Sequence, residues 1–224
     1  MATKLNTEGG LAPLREMFLR WSKVALSLSV MAGLYLVVLG PSFIGQWIDP
    51  SYERPSGHVL QILMLSSLVF LPVRGVALPI LLGIGKPRIP TLAFLAAGLL
   101  NVGLSVLLIG PLGLAGVALG TAIPNVLFAV VVLIVTCREL RLAPAAYLTY
   151  VVPRVALGSL PVLALLLWCN WYFDVDTLTG LIAAGSAMVV CFAIIWVSFV
   201  YRDDPYVDVR AHLGTRRVWG WSRA

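Results

Sequence analysis

The chain has 224 residues, 60% of them hydrophobic and 12% charged, whereas soluble domains run at roughly 45–50% apolar and about 25% charged. Only 16 basic and 10 acidic side chains are present, where a soluble domain of this length would carry about 56 charged groups. That excludes an ordinary water-facing globule and makes a lipid bilayer the solvent for most of the chain.

In chain order, residues 1–23 form a polar lead-in that is too extended for a cleaved signal peptide. Its second half, Leu11 to Lys23, sets Leu11, Leu14, Phe18 and Trp21 on one face and predicts an amphipathic helix on the cytoplasmic surface. The transmembrane domain is expected over 24–201. Its first span covers 24–48 and its second 59–84. Arg88 to Arg138 then encloses an uncharged run too long for one helix, which the Gly110-Pro111-Leu112-Gly113 turn divides into spans at 89–109 and 114–136. Spans at 153–173 and 178–201, joined by an acidic turn at 174–176, complete an all-α, polytopic membrane bundle of six transmembrane helices. A basic and aromatic cytoplasmic tail follows at 202–224, suited by Arg210, Arg216, Arg217, Trp219 and Trp221 to an anionic interface.

The charges orient the spans. Lys4, Arg15, Arg20 and Lys23, then Lys86 and Arg88, then Arg138 and Arg141, then the tail arginines all fall on one side, and Arg54 alone falls in a loop on the other. Cytoplasmic loops carry such an excess, so both termini are expected inside. A span miscounted by one would scramble this alternation. The net charge of +6 matches lipid head groups better than nucleic acid, since the cations form no continuous stripe. Lys86, Arg88 and Arg154 are the candidate contacts to cytoplasmic head groups.

Arg74 lies deep in the second span, about 15 Å of helix from its cytoplasmic end. An arginine at mid-bilayer costs about 2.5–3.5 kcal/mol on insertion scales, so it faces a wet cavity, a partner or a substrate. Pro72 and Pro79 each remove a helix donor, and Gly75 leaves the backbone open to close approach. The segment therefore predicts a broken or kinked helix, of the kind that lines substrate sites at the membrane midplane. A guanidinium fork suits an anion such as a phosphate; the alternative is pairing with backbone carbonyls freed by the prolines. Asn101 and Asn125, in the third and fourth spans, are candidates for interhelical hydrogen bonds, and Asn101 is also a candidate substrate contact. Gly113, Gly116 and Gly120 recur at helical spacing and predict close helix packing.

No Asp or Glu falls within a predicted span, so no ion-coupling carboxylate is evident. Cys137, Cys169 and Cys191 follow no metal-binding or disulfide pattern and read as small apolar residues. No catalytic motif, metal site or cofactor site is expected, and the chain does not read as an enzyme.

The stretch from Leu78 through Gly83-Ile84-Gly85-Lys86-Pro87-Arg88 to Pro90, the Asn101-Val102-Gly103 segment, and Gly110-Pro111-Leu112-Gly113-Leu114-Ala115-Gly116 running to Gly120-Thr121 together resemble the polysaccharide and O-antigen flippases. These belong to the multidrug/oligosaccharidyl-lipid/polysaccharide exporter superfamily. The resemblance is best over about 11–136 and implies the C-terminal part of that fold, with the last two spans similar to an extra pair that some members carry. It implies translocation of a lipid-pyrophosphate-linked saccharide across a bacterial inner membrane, with Arg74 facing the cavity of the C-terminal lobe. Complete members rock two lobes against each other. A chain with one such part is expected to be a partial or divided transporter whose partner subunit supplies the missing lobe. The alternatives are a non-transporting scaffold or truncated fragment, and half of a multidrug or small-solute exporter.

Overall fold

The computed structural model describes residues 10–172, 177–202 and 204–206. The acidic 174–176 turn, most of the basic aromatic tail and residues 1–9 lie outside the described residues. Among those described there is no strand, and six helices are long and apolar enough to cross a membrane. The chain is an all-α, multi-pass membrane bundle.

Helix α1 runs without interruption from Leu11 to Val38. The separate surface helix expected before residue 24 is thus replaced by the first turns of a 28-residue helix, about 42 Å long. Locally the reason is plain. Pro13 sits in the first turn, where its missing donor costs nothing, and neither Gly nor Pro recurs until Gly33. Leu14 and Phe18 are fully buried while Trp21 is half exposed, and Phe18 stacks on Tyr147 at 4.9 Å. Buried contact with another helix, not the membrane surface, decides where this face goes.

The first span also ends earlier than predicted. Pro41 cannot donate to the carbonyl of Val37, so α1 stops at Val38 and a short helix α2, Gly40–Trp47, starts afresh. Gln61 Nε2 donates to the stranded Val37 carbonyl at 2.8 Å. Asp49 then caps a 3-10 turn, Pro50–Tyr52, by accepting from Ser51 N at 2.9 Å, and Ser51, through its hydroxyl and its backbone N–H, holds this carboxyl below the usual range.

The next crossing consists of α3, Glu53–Pro72, a π turn, Val73–Ala77, and α4, Leu78–Gly83. Gly85, at φ +77°, closes it in a Schellman arrangement, with Lys86 N donating to Leu81 O at 2.9 Å. Helix α5, Arg88–Leu112, and helix α6, Leu114–Glu139, form the expected hairpin. The reversal occurs at Gly113 alone (φ +58°), and Gly110 and Pro111 belong to the last turn of α5. A Cβ on Gly116 would lie 2.1 Å from Leu108 O, and one on Gly120 would lie 2.7 Å from Ser105 N. The two backbones touch at these glycines. Gly113, by contrast, has nothing within 4 Å of its Cβ position; it makes the turn and does not pack.

Helix α6 ends in a second Schellman arrangement, with Arg141 at φ +50° and Leu142 N donating to Cys137 O at 2.8 Å. Helix α7, Pro144–Tyr172, follows at once, so the loop predicted over 137–152 contracts to a few residues. Pro144 is well placed as the first helical residue, and Pro153, predicted to open the span, is interior. Helix α8, Leu178–Ile195, is capped by Thr177 and closes with a π turn, Trp196–Val200.

Two cores result. One joins α1, the α3–α4 crossing, α6 and the start of α7 around Phe18, Val73, Phe128 and Tyr147. The other joins α8 to the rest of α7 and to α1. Contacts between distant segments gather the cation-bearing loops at one end: Arg15 Nε donates to Leu140 O, Lys86 pairs with Glu139, Arg154 donates to Arg202 O, and Lys23 pairs with Asp204.

Candidate functional site

A groove of about 360 Å³ opens between α3, the π turn, α5 and α6. Phe70, Phe94 and Phe128 line it, with ring centroids 5.4–5.7 Å apart along the chain Phe70–Phe128–Phe94. Arg74, Asn101 and Asn125 bring its polar groups. Each lies well inside its crossing: Arg74 is about 14 Å of helix from Gly83, and the two asparagines are near the midpoints of α5 and α6. The structure thus collects, at one depth, three residues that are far apart in sequence.

The interruption around Arg74 is a π turn and not an unwound break. Pro79 has no N–H for the Gly75 carbonyl, so an unmodified α ladder would leave that carbonyl unpaired. Just before this proline the turn widens, Leu78 N reaching back five residues to Val73 O, a distortion that recurs at functional sites. Gly75 allows no close approach here, because nothing lies within 4 Å of its Cβ position. Pro72 is buried against the first core and Pro79 is exposed.

Arg74 is exposed within this chain. Its recorded contact is with the Phe70 ring, 5.5 Å from guanidinium carbon to centroid. Neither an ion pair nor a hydrogen bond engages it among the described residues, and this includes the carbonyls near the prolines. Asn101 Nδ2 donates to Thr121 Oγ1 at 3.0 Å, which ties α5 to α6. The interhelical role expected of it is therefore present, and Asn101 also lines the groove. Asn125 makes no such bond among the described residues; it is a groove wall residue, not helix glue. Gly98 completes the floor with open space at its Cβ position.

The head-group candidates fare differently. Arg88 is exposed beside Pro87. Lys86 Nζ lies 3.5 Å from Glu139 Oε1, and Arg154 Nη1 donates to Arg202 O at 2.8 Å.

A second polar cluster was not anticipated. Lys23, read as a loop cation, is 1% exposed and lies about 12 Å further along α1 than Arg15. It pairs with Asp204 beyond α8 and sits over the rings of Tyr150 and Tyr201, 4.9 and 5.6 Å away. Asp204 also accepts from Tyr150 Oη at 2.7 Å and Tyr206 N at 3.0 Å. Burial alone would raise this carboxyl; the hydrogen bonds from Lys23, Tyr150 and the Tyr206 amide, with the lysine charge, hold it below the ordinary carboxylate range. The available signal was a lysine followed without helix punctuation by an apolar run, which argues that the helix continues through it.

Among the described residues, no group of three His, Cys, Asp or Glu side chains converges as metal ligands would. No family model, curated protein or solved structure matches the chain.

Proposed function

We propose that the chain is a membrane component of lipid-linked oligosaccharide or polysaccharide translocation, a flippase-like part that works with a partner subunit in a bacterial inner membrane with both termini cytoplasmic. The observation that carries this reading is Arg74, presented at mid-membrane depth into an aromatic groove shared with Asn101 and Asn125, with no carboxylate among the described residues to neutralise it. A pyrophosphate supplies the matching charge and can accept both arms of the guanidinium. The two amides and three phenyl rings offer the mixed polar and apolar surface that an amphiphilic carrier needs.

Support for a partner comes from α5, in which only Pro90 is buried. That helix leans on α6 and leaves one side of the groove open. The groove chemistry, a cation with two amides, favours an anionic ligand over the cationic drugs of a small-solute exporter. A scaffold without transport would leave Arg74 no ligand, and its cost in the bilayer no return.

The test is translocation of a labelled polyprenyl-pyrophosphate saccharide in vesicles holding the natural assembly. Arg74→Ala is expected to reduce the rate at least tenfold, equivalent to about 1.4 kcal/mol, with Arg74→Lys intermediate because it keeps charge and loses the bidentate fork. A wild-type rate in Arg74→Ala would overturn the assignment.

A further inference from the structure

A separate cavity lies on the other side of α3, along the line where the two cores meet. It is a slot of about 340 Å³ between α1, α3 and α7. Its back wall is buried side chains, Val73, Val151 and Val155, and its mouth is the exposed Val69, Leu148 and Val152. Carbon lines nearly all of it. Water has no partners in such a space, but at this depth in a bilayer the solvent is hydrocarbon.

Dimensions and polarity narrow the occupant. Along α7 the slot reaches from Tyr147 to Ser159, about 18 Å at 1.5 Å per residue, close to one leaflet of a hydrocarbon core about 30 Å thick. Dividing 340 Å³ by this length gives a mean section of about 19 Å². A whole helix about 10 Å across has a section of roughly 80 Å² and cannot enter the slot, whereas a single extended alkyl chain can. Tyr147 and Leu26 bound it at the end where the cation-bearing loops gather, each three residues from a member of the buried Tyr150 and Lys23 cluster. A leaflet-deep apolar channel that opens to the bilayer and starts near the loop-bearing end is the shape of a lipid chain's seat.

We propose that this slot seats one acyl chain of a membrane phospholipid from the leaflet at the loop-rich end, as a structural lipid between the first core and the α7–α8 hairpin. The seat is distinct from the Arg74 groove and does not depend on the function proposed for it.

The whole chain is placed in vesicles of phosphatidylethanolamine and phosphatidylglycerol containing a trace of phospholipid with a diazirine midway along one acyl chain, irradiated, and mapped by peptide mass spectrometry. Adducts at Val69, Leu148 and Val152 are expected several-fold above those at Leu95, Leu99 and Val106 on the open face of α5. Ala156→Trp, or the smaller change Val152→Phe, fills the mouth and is expected to abolish the excess while leaving the α5 adducts unchanged. Equal labelling of slot and α5 in the wild-type chain would overturn the proposal without any variant. So would displacement of the label by a polyprenol but not by unlabelled phospholipid, which would make the seat isoprenoid-specific.

Discussion

The Lys23–Asp204 pair provides the sharpest quantitative prediction. Both side chains are buried, at 1% and 0% exposure, so truncating one leaves a charge in a medium that solvates it poorly. Removing one partner of a buried pair costs about 3–5 kcal/mol. In Asp204→Ala the stranded ammonium keeps the Tyr150 and Tyr201 rings, which return about 1 kcal/mol, so a loss near 3 kcal/mol is expected. Lys23→Met leaves Asp204 the donors Tyr150 Oη and Tyr206 N among the described residues, each such charge-assisted bond being worth about 1.5–3 kcal/mol, and its loss should be smaller, near 2 kcal/mol. The double variant Lys23→Met/Asp204→Ala buries no charge and should lie within about 1 kcal/mol of wild type, since replacing both partners by apolar groups is often close to neutral. The assay is reversible unfolding of the four proteins in mixed micelles, titrated with sodium dodecyl sulfate. Losses in the two single variants that add in the double to within about 0.5 kcal/mol would refute the reasoning, because independent sites add and a paired charge does not.

The same pair sets a pH dependence. A carboxyl held below its unfolded value stabilises the fold above that value and loses the contribution as pH falls through the folded one; Asp204 is lowered, so stability should be level from neutral pH down to the ordinary carboxylate range near 3.9 and fall only below it, with a smaller fall in Asp204→Asn, where Asp49 still contributes. Close-packed glycines should divide by what they face: in the α5–α6 hairpin Gly116→Ala drives a Cβ into the Leu108 carbonyl and should cost at least the about 1–3 kcal/mol of an overpacked core, whereas in α1 Gly33→Ala meets the flexible tip of Leu68 and should cost less than about 1 kcal/mol, read in the same micelle titration. Gly98 faces open space in the groove, so Gly98→Leu should preserve the folded helix content by circular dichroism while lowering saccharide translocation as strongly as Arg74→Ala.

Six crossings were readable because bilayer thickness sets a length that charges punctuate. Their ends were less so. Lys23 was taken as a boundary since an isolated lysine at the edge of an apolar run normally marks water, but its counter-charge stands 181 positions away and no local window contains both. The early start of α7 was hidden for a related reason: Pro153 looks like an N-terminal proline, and only Tyr147 and Val151, buried against α1 and the first core, show that the helix is already formed before it. At the groove, Arg74 announced itself by the cost of its charge, and Pro72 and Pro79 announced an irregular ladder. That the irregularity is a π turn follows from how Leu78 finds Val73 O, a choice made among competing acceptors in three dimensions. Asn101 and Asn125 carry the same residue type at similar depth, and their different roles depend on Thr121 standing opposite one of them.

The 181-residue separation within the buried pair also fixes an order of events during synthesis. Lys23 enters the membrane before Asp204 has been made, with the crossings from α3 to α8 translated in between. At about 5–20 residues per second the interval is roughly ten to forty seconds, during which α1 carries an uncompensated ammonium and is held back toward the head groups. Residence at its final depth becomes favourable only when the carboxylate arrives. Helix α1 is therefore inserted ahead of the helices that follow it and seated only after them, once its counter-charge has arrived.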